Sequence, residues 1–212
     1  MAETPVLLYG NNLSTTANTV IYTAPINKVV VLKSVIVCNL QDTPINLNMQ
    51  IEGTPVIGSR PLKGYETLVI PIADLVLRPT AQLRAWVSSG TCAVRITGVE
   101  LDGTMDQNGL YLIATSSGVN GTPREIITTK GKPSIIKSMV FCNSYSIPLS
   151  LNMRIGYFAD NYTLIRNYKL APYETIHIPF VDTILLGTDT LTAWVNESNV
   201  IWCHIVTKDV TI

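Results

Sequence analysis

Charge is what this sequence has least of. Only 14% of its 212 residues are charged, 15 basic against 15 acidic, for a formal net charge of zero. Ordinary soluble domains carry roughly 25%. With so few cations and no basic excess, electrostatic binding of nucleic acid is excluded. Histidine occurs only at His177 and His204, and aromatic residues make up 7% of the chain. No run of ~18 apolar residues is present, so no transmembrane helix and no membrane partner are expected. The opening, MAETPVLLYGNN, has neither a basic n-region nor a long apolar h-region, so no secretory signal is expected. Amphipathic helices longer than two turns are also missing; Pro71–Leu77 and Pro179–Leu186 have room for one short helical turn each.

What the chain does have is β-branched residues: Ile, Val and Thr supply 67 of 212. Such side chains fit pleated sheets and lose rotamer freedom in helices. The apolar runs are short and bounded by Gly, Pro, Asn and Asp, as in Lys28–Asn39, Ile45–Glu52, Thr67–Ile72 and Gln82–Ser88. Ile45, Leu47, Met49 and Ile51 alternate with Asn46, Asn48 and Gln50, the period of a half-buried strand. The class is all-β.

A repeat organises these runs. Lys33–Ile51 and Lys137–Ile155 agree at 9 of 19 positions at an offset of 104. Tyr65–Pro71 and Tyr173–Pro179 agree at 5 of 7, and Ala85-Trp86-Val87 recurs as Ala193-Trp194-Val195, both at an offset of 108. The second copy therefore holds four extra residues, assigned to a loop at Gly156–Tyr162. The chain divides into residues 1–104 and 105–212, with a joint near Asp102–Gly109. A unit of about 100 residues with seven or eight short strands reads as a β-sandwich, jelly-roll-like or immunoglobulin-like, here duplicated in tandem. The matched Cys, Met, Ile and Trp residues are core types, so Trp86 and Trp194 are expected in the core.

Chemistry is thin by comparison. Cys38 and Cys142 are equivalent, whereas Cys92 and Cys203 lie in the last strand of each copy at unmatched positions. One disulfide per copy is conceivable, but without a secretory route reduced, buried thiols are expected. There is no CxxC or Cys/His cluster, so no metal is expected. No GxSxG, HExxH, P-loop or GxGxxG string occurs, and no cofactor is implied. Glu66 and Glu174 share a Tyr-Glu-Thr slot, but nothing brings them within the ~5–9 Å that a glycosidase pair requires. A carboxylate bonded to a loop amide at strand entry is the better reading. His177 and His204 sit in apolar strands and read as structural, since Val69 stands at the place of His177 in the first copy. The expectation is no catalytic residue and no enzyme.

The strings Tyr22-Thr23-Ala24-Pro25, Lys33-Ser34, Cys38-Asn39 and Gly98-Val99-Glu100-Leu101 resemble a β-sandwich module of tailed-bacteriophage virion proteins. The second copy keeps Lys137-Ser138 and Cys142-Asn143 but not the other two strings. The resemblance implies a structural component of a phage particle, a capsid decoration (cement) protein or a tail, baseplate or connector part, assembled in the host cytoplasm. Its partners would be the major capsid protein or tail proteins and further copies of itself. A low-charge surface rich in Thr, Asn and Ser suits dense packing of this kind. The candidate contact residues are Tyr157, Phe158 and Tyr162 of the extra segment, with Tyr65, Glu66, Tyr173 and Glu174 of the repeated slots. A carbohydrate-binding module of a tail fibre is the competing reading.

Overall fold

The computed structural model describes residues 3–70, 74–105, 107, 110–114, 119–129, 131–157, 160–178 and 182–210. The protein is all-β, with no α-helix among the described residues. The chain separates into two compact units, residues 1–108 and 109–212.

The first unit contains β1 (Thr4–Asn12), β2 (Val20–Thr23), β3 (Lys28–Asn39), β4 (Ile45–Ile51), β5 (Thr54–Leu62), β6 (Thr67–Ile70), β7 (Leu75–Leu77), β8 (Gln82–Val87) and β9 (Cys92–Asp102). They form two antiparallel sheets. One runs β1-β9-β3-β6, with β7 also on β3; the other runs β2-β8-β4-β5. The alternation in β4 appears as burial: Ile45, Leu47, Met49 and Ile51 are at most 2% exposed, while Asn46, Asn48 and Gln50 face the other way. Each such side chain contributes ~1.5–3 kcal/mol when fully withdrawn from water.

The second unit repeats the plan with β10 (Leu110–Ala114), β11 (Arg124–Thr128), β12 (Ser134–Cys142), β13 (Leu149–Tyr157), β14 (Asp160–Leu170), β15 (Thr175–His177), β16 (Thr183–Leu185), β17 (Thr190–Val195) and β18 (Trp202–Asp209). Its sheets run β10-β18-β12-β15, with β16 on β12, and β11-β17-β13-β14. One hydrophobic cluster draws Met139, Phe141, Cys203 and Ile205 from the first of these sheets and Leu151, Met153, Leu191 and Val195 from the second. Register repeats as well: Asn48 faces Trp86 and Asn152 faces Trp194.

Three sequence expectations change. Leu75–Leu77 and Thr183–Leu185 are short strands rather than helical turns. Asp74 and Asp182, at φ 61° and 67°, turn the chain into them from the left-handed region, which ends any helical path. Pro71 and Pro179 lie outside the described residues. The four extra residues do not form a loop. In the first unit a two-residue turn, Glu52-Gly53, joins Ile51 to Thr54. In the second, the ladder continues past Ile155–Tyr162 through Gly156–Asn161 to Tyr157–Asp160. Four residues are two cross-strand pairs, so the insertion lengthens the hairpin without shifting its faces. Phe158 lies outside the described residues. Trp86 and Trp194 are half-buried rather than fully buried, and Trp194 packs against the hydrophobic cluster of its unit. They share a strand face with Arg84 and Thr192, opposite the buried Ala85 and Val87 or Ala193 and Val195.

Candidate functional site

The repeated Tyr-Glu slots are built on one turn. In the first unit the Glu66 carboxylate accepts the Lys63 amide N–H at 2.7 Å, and the Glu66 amide donates to the Lys63 carbonyl at 3.2 Å. In the second, Glu174 accepts from Ala171 N at 2.6 Å and donates to Ala171 O at 3.2 Å. Each carboxylate is thus spent on its own loop, as the sequence suggests, and the two Glu residues belong to different units. The turn leaves Tyr65 and Tyr173 at φ 56° and 59°. For a bulky side chain this costs on the order of 1–3 kcal/mol, sustained only where surrounding bonds hold it. Tyr65 N donates to Gln41 O at 2.8 Å, and Tyr173 N to Tyr145 O at 3.1 Å. The result is a Tyr65 ring 71% exposed on a pinned turn, with Tyr173 half-buried in the same place.

Beneath each turn sits a buried asparagine. Asn39 donates to Thr43 O and Lys63 O at 2.8 and 2.9 Å and accepts from Gln41 N at 3.0 Å. Asn143 donates to Ile147 O and Ala171 O at the same distances and accepts from Tyr145 N at 3.0 Å. Asn39 ends β3 and Asn143 follows β12, and their part in holding two loops together needs the fold. Lys33 and Lys137 sit at β-bulges in β3 and β12 and pair with Asp74 and Asp182. That partner escapes sequence reading because nothing in the spacing announces a contact over forty residues, although Asp recurs at the offset of 108.

The strings confined to the first copy also converge. The Glu100 carboxylate takes the Tyr22 hydroxyl at 3.2 Å and the Lys28 ammonium at 2.6 Å. Burial, reinforced by the Glu100 charge, pushes the Tyr22 phenol up to about 12. The group closes the ends of β2, β3 and β9 and has no acid or base to spare. Burial also raises the Cys92 thiol to about 11, which removes it as a nucleophile. Cys38 pairs with Ala93 and Cys92 with Asn39, so the two cysteines point to opposite faces. Cys142 pairs with Trp202 and Cys203 with Phe141, giving the same result. Neither unit offers disulfide geometry.

His177 and His204 both pair with Val140, so the two histidines share one cross-strand row on the sheet face opposite the core, with Val140 between them. Sequence reading treats them separately. No group of three His, Cys, Asp or Glu suited to a metal occurs among the described residues. An open depression of about 340 Å³ on the first unit is lined by Gly10, Asn12, Ile36, Cys38 and Arg95 among others, a set without an acid–base pair. No helix among the described residues is long and apolar enough to cross a membrane. Of the extra hairpin, Tyr162 is 62% exposed. Within its own unit it is not brought together with Tyr173, since Tyr162 sits near the turn of the β13–β14 hairpin and Tyr173 follows the other end.

No protein-family model and no curated protein matches the chain. Among solved structures, it is similar to the N-terminal CBM22-1-CBM22-2 tandem domain of Paenibacillus barcinonensis Xyn10C, with TM-score 0.27, 8% identity, and 98% of this chain and 99% of that one covered. An allantoicase structure gives TM-score 0.25 and 8% identity, covering 96% and 90%. Likeness at this level bears on neither fold detail nor function.

Proposed function

We propose that the protein is a non-enzymatic structural component of a bacteriophage particle, two tandem β-sandwiches that decorate and clamp the assembled capsid. Sandwich packing is supported by the cluster that unites side chains of both sheets. The observation that carries the functional reading is what the repeat keeps. Asn39 and Asn143, with Glu66 and Glu174, hold backbone in place, and the Lys33–Asp74 and Lys137–Asp182 pairs tie a strand bulge to a turn. None is left for chemistry. What the retained scaffold presents outward is a pinned tyrosine turn on each unit, and rigid exposed aromatics are favoured anchors at protein interfaces. The phage resemblance supplies the setting, and the low charge removes like-charge repulsion in a crowded lattice.

Imaging of intact particles tests this. Hundreds of copies spread over the shell are expected. A few copies at one vertex would move the protein to the tail or connector, and absence from particles would remove the proposal. On the protein itself, Tyr65→Ser with Tyr173→Ser is expected to weaken shell binding at least about tenfold while the fold stays intact.

One observation favours a second reading, a carbohydrate-binding face. Trp194 lies half-buried on the outer side of β17, with the Arg154 guanidinium 5.6 Å from its ring centroid. Nearby, Asn152, Asn196 and Asn167 link through their amides at 3.0 and 2.8 Å. Aromatic and amide groups on one sheet face are the elements a sugar uses. Titration with host-surface glycans separates the readings: binding abolished by Trp194→Ala would favour this one.

A further inference from the structure

The edge strand β14 differs from its counterpart β5 in three respects. The first is proline. Pro55 faces Gln50 and Pro61 faces Asn46 across the β4–β5 ladder. Proline has no N–H, so β5 donates nothing at these positions, and the ladder accepts it because the missing donors point away from β4. The outer edge of β5 is therefore interrupted twice, a known protection against strand addition. In β14 the same registers hold Thr163 opposite Arg154 and Lys169 opposite Ser150. Both donors are restored and aimed outward. The bulge residues Ser59 and Asn167, at φ 51° and 53°, are common to both strands, so proline is the difference.

The second respect is cover. Val56 and Ile57 of β5 are 0% and 1% exposed, whereas Leu164 and Ile165 at the equivalent places are only half-buried. The third is a pair of tyrosines. Tyr162 faces Ile155 and Tyr168 faces Leu151, which puts both rings on the core side of the sheet. They are nevertheless 62% and 46% exposed, where the first unit has a buried Thr54 and a half-buried Arg60. Among the described residues no strand bonds to the outer edge of β14.

We propose that β14 is the seam of a homodimer, pairing antiparallel with β14 of a second copy about a twofold axis near Ile165. Asn161–Thr163 of one copy then lies along Asn167–Lys169 of the other. The twofold runs normal to the sheet, so each strand keeps its faces, and Tyr162 meets Tyr168 of the second copy on the core side. Aromatic cross-strand pairs of this kind stabilise sheets. Arg166 falls opposite Leu164 and Lys169 opposite Asn161, so no like charges meet. The two prolines of β5 would fall one in each paired stretch, which is why the first unit cannot make this contact. A second copy suits the edge better than an unrelated strand because the strand complements itself: one patch satisfies both partners, as a twofold interface requires. The inference draws on the assembly reading only for its setting in a particle; dimerisation is a property of the chain in solution.

Sedimentation equilibrium on the full chain tests it. A reversible dimer is expected. Thr163→Pro with Lys169→Pro, which copies β5, should weaken it at least about a hundredfold by removing outward donors from both stretches. Far-UV dichroism and Tm should stay near wild type, because β5 shows that this ladder accepts proline at both places. Tyr162→Ser with Tyr168→Ser should weaken it about tenfold, while Val69→Ser on the first unit leaves it unchanged. A wild-type chain that stays monomeric at high concentration, or a folded double-proline variant that still dimerises, overturns the seam. A monomer that still decorates particles would sink the seam and spare the proposed function; a dimer absent from particles would do the reverse.

Discussion

The two units share a register and differ in what they cover. On the sheet face opposite the core, the first unit shows a row of Val69, Ile36 and Arg95, with Val69 63% and Ile36 36% exposed. The equivalent row of the second unit is His177, Val140 and His204, with Val140 2% and His204 1% exposed. The edge strands reverse this order: β5 is buried and β14 is half open. Backbone-holding residues are thus fixed between the copies while faces and edges have diverged. A duplicated scaffold with unequal surfaces can make two different contacts, which a symmetric one could not.

If the shared scaffold is what the repeat preserves, damage to it should be equal in both units and large. Asn39→Ala or Asn143→Ala removes four bonds from a side chain at most 1% exposed and strands loop carbonyls and an amide. Each substitution should cost about 3 kcal/mol in its own unit, read from denaturant unfolding. A cost confined to one unit would break the equivalence.

The next test sharpens the Lys–Asp device. Asp74 and Asp182 combine a partly exposed ion pair with a left-handed backbone. Replacing either by Asn keeps a residue that tolerates this backbone and loses only the charge, for roughly 0.5 kcal/mol. A Val at the same place should cost about 2 kcal/mol, because β-branching is poorly accepted there. Equal losses for Asn and Val would mean that the ion pair, not the turn, carries the effect.

How far the sequence foretold this depends on the range of the interaction. The strands were readable because alternation and β-branching are local; Lys28–Asn39 is β3 to the residue. The repeat was readable because identity at a fixed offset needs no geometry. Trp86 shares its side of the strand with Arg84 and Gln82, two and four residues back, so the period of the strand and not the mid-strand position sets its face. Gly156 and Asp160-Asn161 look like turn residues, and only cross-strand pairing shows that they prolong a ladder. The Asp74 partner and the shared histidine row depend on which strands become neighbours. Alternation cannot supply that.

The smallest expected effect separates the units by pH. In the second, the Glu197 carboxylate accepts Ser150 N at 2.8 Å and Ser150 Oγ at 3.0 Å. Burial works against its charge, but these bonds outweigh it and hold the group below the usual carboxylate range. A depressed folded value gives stability above the unfolded carboxylate pKa and withdraws it as pH falls through the folded one, so the second unit should weaken on the acid side. In the first unit the neutral Ser88 hydroxyl accepts from Asn46 N at 2.9 Å in the corresponding place, and no such loss is expected. Tyr22 acts in the opposite range. Its value, raised to about 12, makes the folded state hold a proton that the unfolded chain releases near 10. That stability is complete below pH ~10 and declines as pH climbs from there toward 12, by less than about 1 kcal/mol once solvent screening of a partly exposed group is allowed for. Tryptophan fluorescence resolves the two, since Trp86 reports the first unit and Trp194 and Trp202 the second. In a Trp86→Phe background, Glu197→Gln should flatten the acid limb; with only Trp86 left, Tyr22→Phe should flatten the alkaline one. An acid limb seen equally through Trp86 would mean that its carboxylate lies elsewhere.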